Sequence, residues 1–221
     1  LFRSMEIELA GARFAPWAAY LKDILHRQEG EAAVKMKLQF AEGRITELDA
    51  KTSISNGLLQ FAQPSSETLS VPNVSGHIRY QHHTLGTMRL QANDLSASTS
   101  AGKLFERGKI EGEWQTGPRG RGKLAMTGLT LSALKPIIRQ LPLDDNLAWR
   151  SLDPSGFIQQ AKIEWQGDIY QPQRYRFQGT FNDLGWQGQA SLPSAQGLSG
   201  QLEFSERGGR IRLRGQQNTQ L

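Results

Sequence analysis

The stretch from Val34 to Phe40 constrains this chain more than any other. Val34, Met36, Leu38 and Phe40 alternate with Lys35, Lys37 and Gln39. Successive side chains of a strand point to opposite faces, so a period of two gives one apolar side and one wet side. The same alternation recurs at Met5, Ile7 and Leu9, at Ile78 and Tyr80, and at Met88 and Leu90. It returns at Ile163 and Trp165, at Tyr175, Phe177 and Phe181, at Leu202 and Phe204, and at Ile211 and Leu213. Short turns separate most of these runs, which makes an antiparallel meander the economical topology.

Composition points the same way. Only 38% of the 221 residues are hydrophobic, mean hydropathy is −0.50, and 23 residues are glycine. That balance suits many short strands with one solvated face and frequent turns. The length accommodates one large all-β domain or two modules of roughly 110 residues each.

Two segments depart from the period of two. Phe14, Trp17, Leu21, Ile24 and Leu25 recur at helical intervals with Pro16 in the first turn, predicting a short amphipathic helix over about 13–27. Leu134, Ile137, Ile138 and Leu141, with Ser132 as cap and Pro142 as stop, predict a second over about 132–141. Each helix pattern precedes alternating strands and a Ser-Gly turn, at Pro72–Gly76 and at Gly197–Gly200. We therefore expect two repeat modules, 1–98 and 99–221, divided in the Ser/Thr/Ala/Gly-rich stretch 95–103. A serial array buries apolar surface by stacking units, so its function belongs to the long surface they build together.

Catalytic and metal signatures are largely missing. Gly117 to Lys123 has the GxxxxGK spacing of a phosphate-binding loop, but Leu124 stands where a magnesium-holding Ser or Thr is needed. Strand patterns flank it on both sides, so the segment reads as a hairpin tip between Lys109–Gln115 and Lys123–Leu131. The four histidines (His26, His77, His82 and His83) lack ligand spacing, and Asp144-Asp145 follows a helix end where the dipole gives a carboxylate no support. No nucleophile elbow is present. The expectation is a protein without catalytic residues, metal or cofactor. There is no cysteine, hence no disulfide. A net charge of +5 is scattered along strands, as on a solvated sheet face, and makes nucleic acid an unfavoured partner. No apolar run is long enough to span a bilayer. Leu1 is no natural start, so the chain is expected to be part of a longer one, with any membrane anchor outside it.

Periodicity leaves two architectures open. The apolar sides could close on each other as β-sandwich cores in a structural or interaction module, or they could line a sheet curled into a trough. The second half bears on that choice. LTLSALKPIIRQLPL (129–143), Pro154-Ser-Gly before the Trp165-Gln-Gly strand, RYRFQGTF (174–181), and Gly197-Leu-Ser-Gly followed by the Gly208-Gly-x-Ile-x-Leu hairpin together resemble the AsmA-like superfamily, specifically its YhdP branch. The likeness covers about 129–221 well, and 1–128 mainly through the first helix pattern and PNVSG (72–76). It implies an elongated trough, sometimes called a β-taco, in a periplasmic protein tethered to the inner membrane. It also implies phospholipid acyl chains as cargo and neighbouring modules of the same longer chain as partners. The residues expected to line such a groove are Val34, Met36, Leu38, Phe40, Ile78, Tyr80, Met88, Leu90, Ile163, Trp165, Tyr175, Phe177, Phe181, Leu202, Phe204, Ile211 and Leu213. Trp17, Leu21, Ile137 and Ile138 would brace it from the helices. A one-residue slip of any strand would turn its set to the wrong face.

Overall fold

A computed structural model describes residues 3–13, 25–42, 44–61, 68–83, 86–115, 117, 119–138, 153–167, 172–188 and 193–214. Its strands are β1 (Ser4–Arg13), β2 (Leu25–Ala41), β3 (Arg44–Phe61), β4 (Leu69–His82), β5 (Thr87–Thr99), β6 (Gly102–Gln115), β7 (Arg121–Thr130), β8 (Ser155–Gly167), β9 (Pro172–Trp186), β10 (Ala195–Ser205) and β11 (Gly208–Arg214). All belong to one 11-stranded sheet in sequence order, every neighbouring pair antiparallel. The meander expected from the alternation is present, and it is open, with β1 and β11 as its edges. The stretch 95–103 forms the β5–β6 hairpin, Ser98 pairing with Lys103 and Thr99 with Gly102.

The predicted helices fare differently from the strands. Of the segment 13–27, residues 14–24 lie outside the described ones, while Arg13 pairs with Glu31 in the sheet and Leu25 with Phe61. The ends assigned to a helix are therefore strand, because cross-strand pairing satisfies their backbone groups. Of 132–141, Ser132–Leu134 form a 3-10 turn and Lys135–Ile138 a single α-helical turn, α1, with 139–141 outside the described residues. Thr99 Oγ1 donates to the Ala133 carbonyl at 2.9 Å and Lys135 pairs with Asp153 at 2.7 Å, tying this short turn to the sheet.

Both Ser-Gly turns are corrections as well. Pro72–Gly76 lies inside β4 and Gly197–Gly200 inside β10. Gly57 likewise lies within β3. These glycines belong to strands because the strands are bent where they occur. One interior residue with positive φ is found in nearly every strand: Gly11, Gly30, Asn56, Asp94, Arg107, Gly128, Gly156, Asp183 and Gly197, with β4 and β11 excepted. Register shifts accompany most of them, for instance between Leu9 and Ala12, Ala92 and Leu95, Phe105 and Lys109, and Ala195 and Leu198. These are β-bulges, which bend a strand and sharpen its twist. Gly156 illustrates the local need: φ is +110° and an added Cβ would sit 2.6 Å from the Asp183 carbonyl oxygen.

Most of the bulges lie in one half of the sheet; the shifts at Gln39/Phe40 and Gln166/Gly167 lie beside the hairpins at the other end. At the rim of the bulged half β1–β2, β3–β4, β7–β8 and β9–β10 are joined by the longer segments 14–24, 62–68, 131–154 and 187–194. At the other rim the connections are short, at 42–43, 83–86, 116–120, 168–171 and 206–207, each joining two paired antiparallel strands. Both buried clusters lie in the bulged half. One is Leu104, Leu129 and Ala133 with Ile137 packed against it; the other is Phe181, Ala195 and Leu198.

Candidate functional site: an amphipathic sheet face

The candidate site is the apolar side of the sheet, which the register assembles strand by strand. Starting at Leu38, successive partners across the sheet are Leu48, Tyr80, Leu90, Gly112, Leu124, Ile163, Phe177 and Phe204. A second row runs Ile7, Met36, Ala50, Ile78, Ala92, Ile110, Met126, Ala161, Gly179, Leu202 and Ile211. A third, nearer the long loops, runs Ala32, Ile54, Val74, Ala97, Phe105, Leu129, Ile158, Phe181, Gly200 and Leu213. Met88, Trp114, Gly122, Trp165 and Tyr175 begin a fourth at the hairpin end. Val34 lies opposite Thr52, and Phe40 opposite Ile45 beside a register shift.

All seventeen residues singled out in the sequence therefore share one face. Of the four expected to brace it, Ile137 packs on the Leu104–Leu129–Ala133 cluster. Trp17 and Leu21 lie outside the described residues, as does the side chain of Ile138.

Leu48, Ala50, Ile110, Trp114, Leu124 and Met126 were not among the residues expected to line the groove, although β3, β6 and β7 carry them on the same face. A second omission is the pairing of large residues with glycines. A Cβ at Gly122 would collide with the Trp165 ring, one at Gly209 with Phe204, and one at Gly108 with Phe105. One at Gly76 would come within 2.7 Å of Leu95. These side chains lie down across a neighbouring glycine, which lowers the relief of the face. The available signal was an isolated glycine inside a strand pattern, which often marks close approach.

The opposite side is charged and paired. Glu6, Lys37, Asp49 and Arg79 are successive partners on β1 to β4, and Lys37 bridges Glu6 at 2.7 Å. His77 Nε2 donates to Asp49 Oδ1 at 2.6 Å and Arg79 Nε to Oδ2 at 2.9 Å. The His77 hydrogen bond, then that of Arg79, holds the Asp49 carboxyl below its ordinary value. Further along, Arg89, Glu113, Lys123, Glu164 and Arg176 follow one another with alternating sign. The Glu113 carboxyl is lowered first by its bond from Arg89 and then by the Lys123 charge. Arg176 also pairs with Glu203. Opposite charges placed across strands fix the register in which the apolar residues meet.

Among the described residues no group of three or more His, Asp or Glu side chains is placed to hold a metal, and no helix is long and apolar enough to cross a membrane. The Gly117–Lys123 motif is the β6–β7 hairpin tip, flanked by strands.

Such a molecule is an open β-meander with a continuous apolar face and a charged reverse. A family model described as YhdP protein matches residues 4–221, and the chain belongs to that family. No curated protein and no solved structure matches it.

Proposed function

We propose that this chain is a non-enzymatic segment of a periplasmic conduit, its apolar face curled into a groove that carries phospholipid between the inner and outer membranes. A segment outside this sequence tethers the protein to the inner membrane, and neighbouring modules of a longer chain extend the groove at its edges. Acyl chains are the ligand; nucleic acid is not.

One observation carries this reading: apolar rows that continue from β1 to β11. Ten inter-strand spacings of about 4.8 Å give an apolar path of roughly 48 Å, against a tail length of about 15 Å, half a bilayer's hydrocarbon core. A 16-carbon tail exposed to water costs about 12 kcal/mol, at about 0.8 kcal/mol per CH₂. A continuous apolar path removes most of that barrier without any reactive group. The bulges supply the bend a trough needs, and the most buried apolar side chains cluster beside them, as at a crease. A closed sandwich would need a second sheet, and among the described residues every strand belongs to one.

The test compares neighbouring side chains. A photo-crosslinking residue at Ile163, Phe177 or Leu202 should capture labelled phospholipid, while Glu164, Gln178 and Glu203 give background. Equal capture from both faces, or none from either, ends this reading.

A further inference from the structure

The apolar face changes character along its strands. The side chains of its second and third rows, toward the long loops, hold no hydrogen-bond donor. Toward the hairpins Tyr80 stands in the row that begins at Leu38, and Trp114, Trp165 and Tyr175 stand in the fourth. Each joins a ring to one polar group, the build that suits Trp and Tyr to a boundary between apolar and wet surroundings. The face is therefore packing surface at the bulged end and amphipathic ring at the hairpin end.

Two of those rings carry donors that the protein leaves unused. Trp165 is 8% exposed and lies across Gly122, where a Cβ would collide with its ring. Trp114 turns Cζ3 toward Gly112, 3.3 Å from a Cβ there, so its Nε1 occupies the opposite edge of the ring, away from Gly112. Among the described residues neither indole N–H has a hydrogen-bond partner. Trp186, packed beside Phe181 at the bulged end, shows the usual arrangement: its Nε1 donates to the Pro193 carbonyl at 2.8 Å. A buried indole N–H ordinarily finds an acceptor, and one without a partner forfeits the bond that water would give it. Gly122 separates Trp114 from Trp165 across the sheet, and the Trp165 ring leaning over it narrows the gap of about 9.6 Å between their strands.

We propose that Trp114 and Trp165 bind the ester carbonyls of a diacyl glycerolipid, which then lies with its glycerol at the hairpin end and its tails along the strands toward the bulged end. This rests on the conduit reading above and gives the cargo an orientation in it. An ester carbonyl accepts without donating and carries no charge, which matches an N–H set among apolar side chains. Length agrees as well. From Tyr175 to Phe181 along β9 is about 20 Å, at about 3.3 Å per residue, against a tail of about 15 Å. A tail whose ester sits at the indoles ends near Ala161 and Gly179, within the donor-free rows.

The experiment uses the full chain and begins with the wild type. Two phosphatidylglycerol probes carry a photoreactive group at different depths, one beside the ester and one on the terminal carbon. Peptide mapping should place the first adduct near Trp114, Trp165 and Tyr175, and the second near Ala161 and Gly179. The reverse order, or the same sites for both, overturns the orientation and leaves the conduit standing; capture of neither overturns both. The carbonyls are tested with a diester probe and its diether analogue, identical in chains and headgroup. Wild-type capture should favour the diester about tenfold, as for two hydrogen bonds. In Trp114→Phe/Trp165→Phe, which keeps the rings and removes both N–H groups, that ratio should fall to about one. Trp114→Phe alone, at the less buried ring, should lower it about threefold, so the test survives a double variant that does not fold. A wild-type ratio near one, or a ratio that either variant leaves unchanged, overturns the ester site.

Discussion

The two ends of the same strands differ more than any two strands do. Toward the long loops the sheet is bulged, capped by the turn at Ser132–Ile138 and buried: Phe181 is 1% exposed and Ala133 0%. Toward the hairpins no such turn covers the rim among the described residues, and exposure there is uneven, Trp165 being 8% exposed and Phe204 40%. Phe181 and Phe204 share one face, yet only Phe181 is enclosed. The difference teaches that one side of a sheet can hold the fold together at one end and stay accessible at the other.

The largest expected contrast comes from that pair. Phe181→Ala should lower unfolding stability by about 3–5 kcal/mol, as for a fully buried aromatic, and Phe204→Ala by about 1 kcal/mol or less, read from urea midpoints. Similar losses would break the distinction between the two ends.

Backbone geometry offers the next test. Gly156→Ala, at the buried end, combines positive φ with a Cβ pressed on the Asp183 carbonyl and should cost about 2–3 kcal/mol. Gly208→Ala, in the last hairpin, has positive φ but nothing within 4 Å, and about 1 kcal/mol is expected from thermal melts. A reversed order would mean that the bulges are not needed for the bend.

Thr99→Val sharpens the comparison through one hydrogen bond. It leaves the Ala133 carbonyl without its buried donor and should cost about 1–2 kcal/mol. Ser205→Ala removes the acceptor of the Arg207 N–H in an exposed hairpin and should change stability by under about 0.5 kcal/mol.

The smallest effect lies on the charged reverse. Asp49 titrates below its ordinary 3.8 in the fold, so its contribution is complete above that pH and is lost as pH falls through the lowered value. Asp49→Asn should flatten that part of the acid limb, by a small amount because the carboxylate is half exposed. An acid limb unchanged in the variant would remove His77 and Arg79 from any role in pH dependence.

The strands were legible because alternation reports directly which side of a strand is apolar, and the face from Val34 to Leu213 follows from it. Helix ends were less so. Leu25 satisfies a helical spacing as well as a strand position, and its pairing with Phe61 decides between them. Gly76 and Gly197 read as turns because glycine permits both a turn and a bulge. A partner strand in register with Gly76, and Leu95 lying across it, keep that backbone in the sheet.

By itself the sequence determined that consecutive ribbons are greasy on one side and charged on the other, since a side chain's parity is a local property. Tertiary structure decided where the ribbons bend, which glycines lie beneath an aromatic ring, and which rim stays open. Those depend on neighbours brought together by pairing across the sheet, and a period of two carries no information about them.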